Sequence, residues 1–503
     1  MASGAFSTFD WSILIVYMAL SLLIGVSFYR KQGNSSDFFL AGRGMSWFPI
    51  AISIMATDLS AISYMGVPAL VFQKDLKYFL AIIVLSGTMV VVSVLFVPIF
   101  FRLKLFTVYE YLEGRFNVAV RSFASLLFLG GRTAWLANTI YVPALALAEI
   151  TGLNVYLTIL ICGVVTTSYT ILGGMEAVIW TDFLQFFVLI GGALVMLYAV
   201  TATFGFDIGE IWAVASAGGH TRLVDFSLDP TQEFTFWGIL AGIFVYNLAS
   251  YSSDQIIVQR YLTTKSLKDT ARAVLGNGAM ILPTMIVLYL CGVGFAAYYA
   301  THPGLAATLT SADRVLPHFT VNVLPNGLRG LILAGIFAAT MSSISAGINS
   351  VATCVTKDYL TRFSLIRPES ELLFGRLTSL FWGALATCSA LLLVNWRLTI
   401  IEKFATIYSY FAGPLAGIFL LGVLTSRTRG WQAIAGAVTG ISLVGVVSVT
   451  TDFHWLWYSP IGCGTTILTG LLLSLLSTSP ARDVSRYTLA GARGRKLSEP
   501  GAV

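Results

Sequence analysis

Ala56-Thr57-Asp58-Leu59-Ser60-Ala61-Ile62-Ser63 sets an acid and three hydroxyl groups in the middle of an apolar run that extends from about residue 46 to 72. A second stretch, Tyr246-Asn247-Leu248-Ala249-Ser250-Tyr251-Ser252-Ser253-Asp254-Gln255, does the same within residues 236–256. A polar group left unpaired in hydrocarbon costs several kcal/mol. Polar stretches at this depth therefore predict helices that are interrupted, with freed backbone lining a cavity. Interrupted helices at corresponding places in two halves of a chain point to a transport site.

The composition puts these helices in a membrane: 56% of the 503 residues are hydrophobic and 11% charged, with a mean hydropathy of +0.81. Thirteen apolar runs are long enough to be candidate spans, near 12–29, 46–72, 79–101, 119–149, 153–172, 177–203, 236–256, 273–300, 330–356, 377–395, 402–425, 431–449 and 457–477. The two interrupted runs stand five helices apart. That spacing predicts an all-α membrane protein with two inverted five-helix repeats, at about 46–203 and 236–425, preceded by one helix and followed by two. No sequence identity between the halves is visible; the repeat rests on hydropathy and on the positions of the breaks.

Residues 1–477 read as one membrane domain, since the longest loops, about 204–235 and 301–329, are short for folded modules. Only Asp10 and no basic residue precedes the first run, so it reads as a retained helix rather than a secretory signal. Most of the 30 lysines and arginines fall in the alternate set of loops that begins with Arg30-Lys31 and ends in the tail. Basic loops stay cytoplasmic, which predicts an outside N-terminus, a cytoplasmic C-terminus and a multi-pass protein of the plasma membrane. The net charge of +6 is then topology, and calls for no nucleic-acid partner. Residues 101–121 mix charges with aromatics and suggest a short interfacial helix; residues 478–503 are basic and rich in small residues, and predict disorder. All five cysteines lie in apolar runs, so no disulfide framework is expected.

A third polar stretch, Ala338-Ala339-Thr340-Met341-Ser342-Ser343-Ile344-Ser345, occupies the ninth run. Hydroxyls there can bond their own backbone, permit close helix packing, or coordinate a ligand. Arg132 lies within the fourth run. A charge in mid-membrane costs at least about 2.5–3.5 kcal/mol and must face a partner: Asp58, Asp254 or a carboxylate of the cargo. No paired acids at glycosidase spacing, histidine–glutamate metal motif or nucleophile motif is present, which argues against an enzyme. A passive channel or a membrane solute sensor is the alternative to a transporter.

Residues 55–68, the run Asp254-Gln255-Ile256-Ile257-Val258-Gln259-Arg260-Tyr261-Leu262, and residues 338–350 ending in Gly347-Ile348-Asn349-Ser350, taken in order, resemble the sodium/solute symporter family. Its members include sodium/glucose cotransporters, bacterial sialic acid and proline transporters, and iodide, monocarboxylate and multivitamin symporters. The resemblance runs from residue 10 to about 477. It implies the inverted-repeat fold first seen in a bacterial leucine transporter, and alternating access driven by sodium. The family's main sodium site maps onto the carbonyls of Ala56, Leu59 and Ala339 and the hydroxyls of Ser342 and Ser343. A second site found in some members maps onto Asp182, Ser342 and Ser345, but Ala346 stands where the sialic acid transporters have a further serine. Asp182 lies near the end of its span, where an exposed interfacial carboxylate is also ordinary.

The solute contacts map onto Asp58, Ser60, Ser63, Arg132, Asp254 and Gln255. Two departures bear on the solute. Ile82 replaces a glutamine of the sialic acid transporters and a glutamate of the sugar transporters, and Asp58 replaces a threonine of the former. The expected cargo is thus a small polar solute (sugar, sugar acid, organic acid or amino acid), moved with sodium across the lipid bilayer.

Overall fold

The computed structural model of the chain describes residues 6–29, 32–394, 400–476, 483–489 and 491. Helices account for nearly all of it, and no strand occurs among the described residues. The helices used below are α1 (Thr8–Phe28), α2 (Trp47–Asp58), α3 (Ala61–Gln73), α4 (Leu80–Leu95), α5 (Val108–Arg115), α6 (Val118–Thr151), α7 (Val155–Ala202), α8 (Phe236–Ser252), α9 (Gln255–Tyr261), α10 (Leu267–Thr301), α11 (Leu328–Cys354), α12 (Glu371–Leu393), α13 (Ile400–Leu424), α14 (Gly430–Thr450) and α15 (Tyr458–Leu475).

Both expected interruptions are present. Between α2 and α3 the chain leaves helical geometry at Leu59 (φ −81, ψ 68) and Ser60 (φ −68, ψ 165), and the two halves are bent by 57°. Between α8 and α9 it does so at Ser253 and Asp254. The runs at 153–172 and 177–203 form one helical stretch of 48 residues, about 70 Å at 1.5 Å per residue and more than twice the hydrocarbon thickness. The stretch divides at Gly174 (φ 57, ψ −154). A side chain there would also collide, since an added Cβ would lie 2.6 Å from the Phe38 carbonyl.

Apart from the two breaks, the described residues of the thirteen apolar runs are mainly helical. By length and apolarity, eight helices among the described residues suffice to cross a membrane, or nine with the bent pair taken as one span. Large apolar side chains such as Leu23, Val90, Leu126, Phe187, Leu380 and Leu472 point outward, as a lipid-facing surface requires.

At the centre stands α11, buried at every residue from Ile332 to Cys354. Asp10, which the sequence offered only as an argument against a signal peptide, holds its N-terminus: Asp10 Oδ1 accepts from the amides of Gly327 (2.7 Å) and Gly330 (2.8 Å). These amides are among the donors that a helix start leaves without intrahelical partners.

Within 101–121, where a short interfacial helix is expected, the chain forms α5, much of it buried in the protein. Next to it Arg121 pairs with Glu113 and Asp358, both at 2.8 Å, and Arg362 pairs with Glu113 at 2.6 Å. Against the expectation of disorder, part of the tail is seated on α5. The Tyr111 hydroxyl donates to the Tyr487 carbonyl at 3.0 Å, and Val484 and Thr488 are buried. A Cβ on Gly114 would fall 2.5 Å from the Tyr487 ring, so this glycine makes room for the seat. Residues 477–482, 490 and 492–503 lie outside the described residues.

Candidate functional site

The first break brings its carbonyl oxygens against the hydroxyls of α11. Ser342 Oγ lies 2.8 Å from the Ala56 carbonyl and 3.1 Å from that of Ala339. Ser343 Oγ lies 3.2 Å from the Ala339 carbonyl and 3.4 Å from that of Thr57. Leu59, fully buried, turns off the helical path one residue beyond Asp58. The last carbonyls of a helix lack intrahelical donors, and here those of Ala56 and Thr57 are met by serine hydroxyls from another helix. Neutral carbonyl and hydroxyl oxygens at such a break are the donor set that suits a hard monovalent cation. Each serine hydroxyl can turn from donating to a carbonyl to presenting its lone pairs to an ion. The Thr57 carbonyl, which is not among the mapped ligands, also faces a hydroxyl of α11, two residues before the chain leaves helical geometry at Leu59.

Asp182 is fully buried, not interfacial. Its Oδ2 accepts from Ser53 Oγ at 2.6 Å and from Arg260 Nη2 at 3.0 Å, and Arg260 is itself fully buried. Asp182 Oδ1 has no hydrogen-bond partner among the described residues. Ser345 Oγ donates to the Ser342 carbonyl at 3.0 Å. Arg260 belongs to the motif that carried the resemblance, yet nothing in the sequence shows that it meets Asp182, 78 positions away.

The mapped solute residues separate into two groups. Arg132 does not pair with Asp58. It forms its ion pair with Asp254, lies 3.4 Å from the Tyr408 hydroxyl, and stacks over Trp135 and Tyr408, each ring centroid 4.8 Å away. Tyr408 also donates to Asp254 at 3.1 Å, while Asp254 Oδ1 caps α9 by accepting from the Ile256 amide at 2.9 Å. Asp58 instead accepts from the Tyr251 hydroxyl and, at 3.5 Å, from Asn277 Nδ2. The hydroxyls of Ser60 and Ser63, beside Asp58, make no hydrogen bond among the described residues. Gln255 is turned away from this cluster: its Oε1 accepts from the Val108 amide at 2.8 Å and its Nε2 donates to the Phe106 carbonyl at 2.9 Å. It holds the start of α5 against the second break.

Tyr251, Asn277 and Tyr408 are additions to the sequence reading. Asn277, an amide inside the apolar α10, carried a visible signal; the tyrosines are indistinguishable in sequence from other aromatics. His/Cys/Asp/Glu clusters suited to a metal ion do not occur among the described residues.

The family model described as sodium:solute symporter family matches residues 38–440. A sodium/sialic acid symporter of Proteus mirabilis is 30% identical over 489 residues, covering 95% of this chain and 97% of its own. A putative sodium-dependent multivitamin transporter of Drosophila melanogaster is 34% identical over 455 residues, covering 86% and 73%. Among solved structures, a Na+-coupled sialic acid symporter in a substrate-bound, outward-open state superposes with a TM-score of 0.89 at 29% identity, over 95% of this chain and 100% of that one. The chain belongs to the sodium:solute symporter family, and is accordingly a helical membrane protein of secondary, sodium-coupled transport rather than an enzyme.

Proposed function

We propose that the chain couples inward movement of sodium to uptake of a small polar organic solute. Sodium is held by the carbonyls of Ala56, Leu59 and Ala339 and the hydroxyls of Ser342 and Ser343, with the Thr57 carbonyl in reach. The solute lies between Asp58, Ser60 and Ser63 at the first break and the Arg132–Asp254 pair at the second. The protein crosses the plasma membrane thirteen times as one domain, with its N-terminus outside and its tail cytoplasmic.

The observation that carries the sodium assignment is the convergence of the two serine hydroxyls on carbonyls of a broken helix, Ser342 on Ala56 at 2.8 Å and Ser343 on Thr57 at 3.4 Å. One ion at that site is the preferred stoichiometry, because Asp182 is already matched by Arg260 and Ala346 supplies no side-chain oxygen.

At about 100 mV inside-negative, one charge contributes roughly 2.3 kcal/mol, and a tenfold sodium gradient adds roughly 1.4 kcal/mol. Together they permit accumulation of a neutral solute by several hundredfold. The test is binding of radioactive sodium to the purified protein, with potassium as competitor. Saturable binding that potassium does not displace and that Ser343→Ala weakens is expected; equal displacement by both ions rejects the site.

A further inference from the structure

We propose that the transported solute carries a protonated amine and that Asp58 is its receptor, an inference that rests on the solute site described above. Arg132 is the residue that a carboxylate-bearing cargo would engage, but it is already neutralised by Asp254 and stacked between Trp135 and Tyr408. To bind a carboxylate it must loosen that pair, at the expense of a buried acid that also caps α9. Asp58 is in the opposite condition. Its hydrogen-bond partners, Tyr251 and Asn277, are neutral, and its Oδ1 has no partner among the described residues.

The surroundings of Asp58 match an ammonium group in number and kind. An –NH3+ offers three donors and no acceptor. Asp58 Oδ1 at the end of α2 and the hydroxyls of Ser60 and Ser63 at the start of α3 are acceptors on the two sides of the same break. Tyr246 and Tyr408 pack with ring centroids 5.0 Å apart at the second break, and aromatic faces attract cations. Arg260 and Arg132 act on Asp58 only from a distance; a polyol could donate to the carboxylate but would bring no charge into contact with it, whereas an ammonium answers both the charge and the free acceptor.

The test is thermal stabilisation and calorimetric titration of the purified full-length protein, in sodium and in potassium. The probes are the twenty amino acids, ethanolamine and putrescine against lactate, N-acetylneuraminate and glucose. At least one amine-bearing probe is expected to bind only in sodium, while lactate, N-acetylneuraminate and glucose do not. Asp58→Asn should weaken that probe at least thirtyfold with the response to sodium kept, and Asp58→Glu should retain part of the affinity.

Sodium-dependent binding of lactate, N-acetylneuraminate or glucose with no amine binding overturns the proposal, as does a sodium-responsive protein to which no amine binds. Loss of the sodium response itself in Asp58→Asn and Asp58→Glu, both still folded, overturns it too by placing Asp58 at the ion. Absence of any sodium-specific response in the wild type is a different outcome, because it rejects the coupling reading on which this inference stands.

Discussion

The two broken helices are built from similar residues and finished in opposite ways. At the second break the chain closes itself. Asp254 caps the Ile256 amide, pairs with Arg132 and accepts from Tyr408, while Gln255 is locked to the backbone of the segment entering α5. At the first break Ser60 begins α3 without a side-chain cap, and the carbonyls of Ala56 and Thr57 find only the hydroxyls of α11. A break that caps itself becomes a fixed wall; one that borrows its partners from another helix can exchange them for an ion.

Removing a charge at the closed break should have the largest effect. Asp254→Asn leaves the Arg132 guanidinium buried without its counter-charge, and should lower stability by about 3–5 kcal/mol, read as a fall in melting temperature. Adding Arg132→Gln should restore much of the loss. If the double variant is no better than the single, the pair is not what closes the break.

At the open break Ser343→Ala should cost about 1 kcal/mol of ion binding, a roughly fivefold rise in the sodium concentration for half-maximal transport, with solute preference unchanged. Ser253→Ala, which deletes a hydroxyl bonded to the Ala249 carbonyl at the closed break, should leave sodium dependence where it was. A shift in both variants would erase the contrast. The smallest effect on folding is expected for Ser60→Ala, within about 0.5 kcal/mol, since its hydroxyl has no partner to lose; a measurable weakening of solute binding in that stable variant would identify it as a contact.

The sequence revealed both breaks because a break writes itself as polarity inside an apolar run: Leu59–Ser60 and Ser253–Asp254 fall within the two stretches read as interrupted. It revealed the oxygen donors of α11 for the same reason. It did not reveal partners. Whether Arg132 meets Asp58 or Asp254 depends on how α6 packs against two acids of equal charge. Asp254 and Gln255 diverge because helical periodicity fails at a break, so neighbours no longer follow a predictable face. Asp182 was judged by its distance from the end of its span, a poor guide when a buried arginine arrives from another helix. The tail reads as disordered by composition, yet three residues, Val484, Tyr487 and Thr488, suffice to seat a segment too short to alter an average.

That seat makes the tail a tethered ligand of its own protein. A segment carried on the same chain as its docking surface, a few residues from the last helix, faces that surface at an effective concentration in the millimolar range. A separate protein recognising the same residues at about 1 μM would therefore compete against roughly a thousandfold excess. Such capture depends first on undocking, and a methyl group at Gly114, where the Tyr487 ring leaves no room for one, is the smallest change that would release the segment.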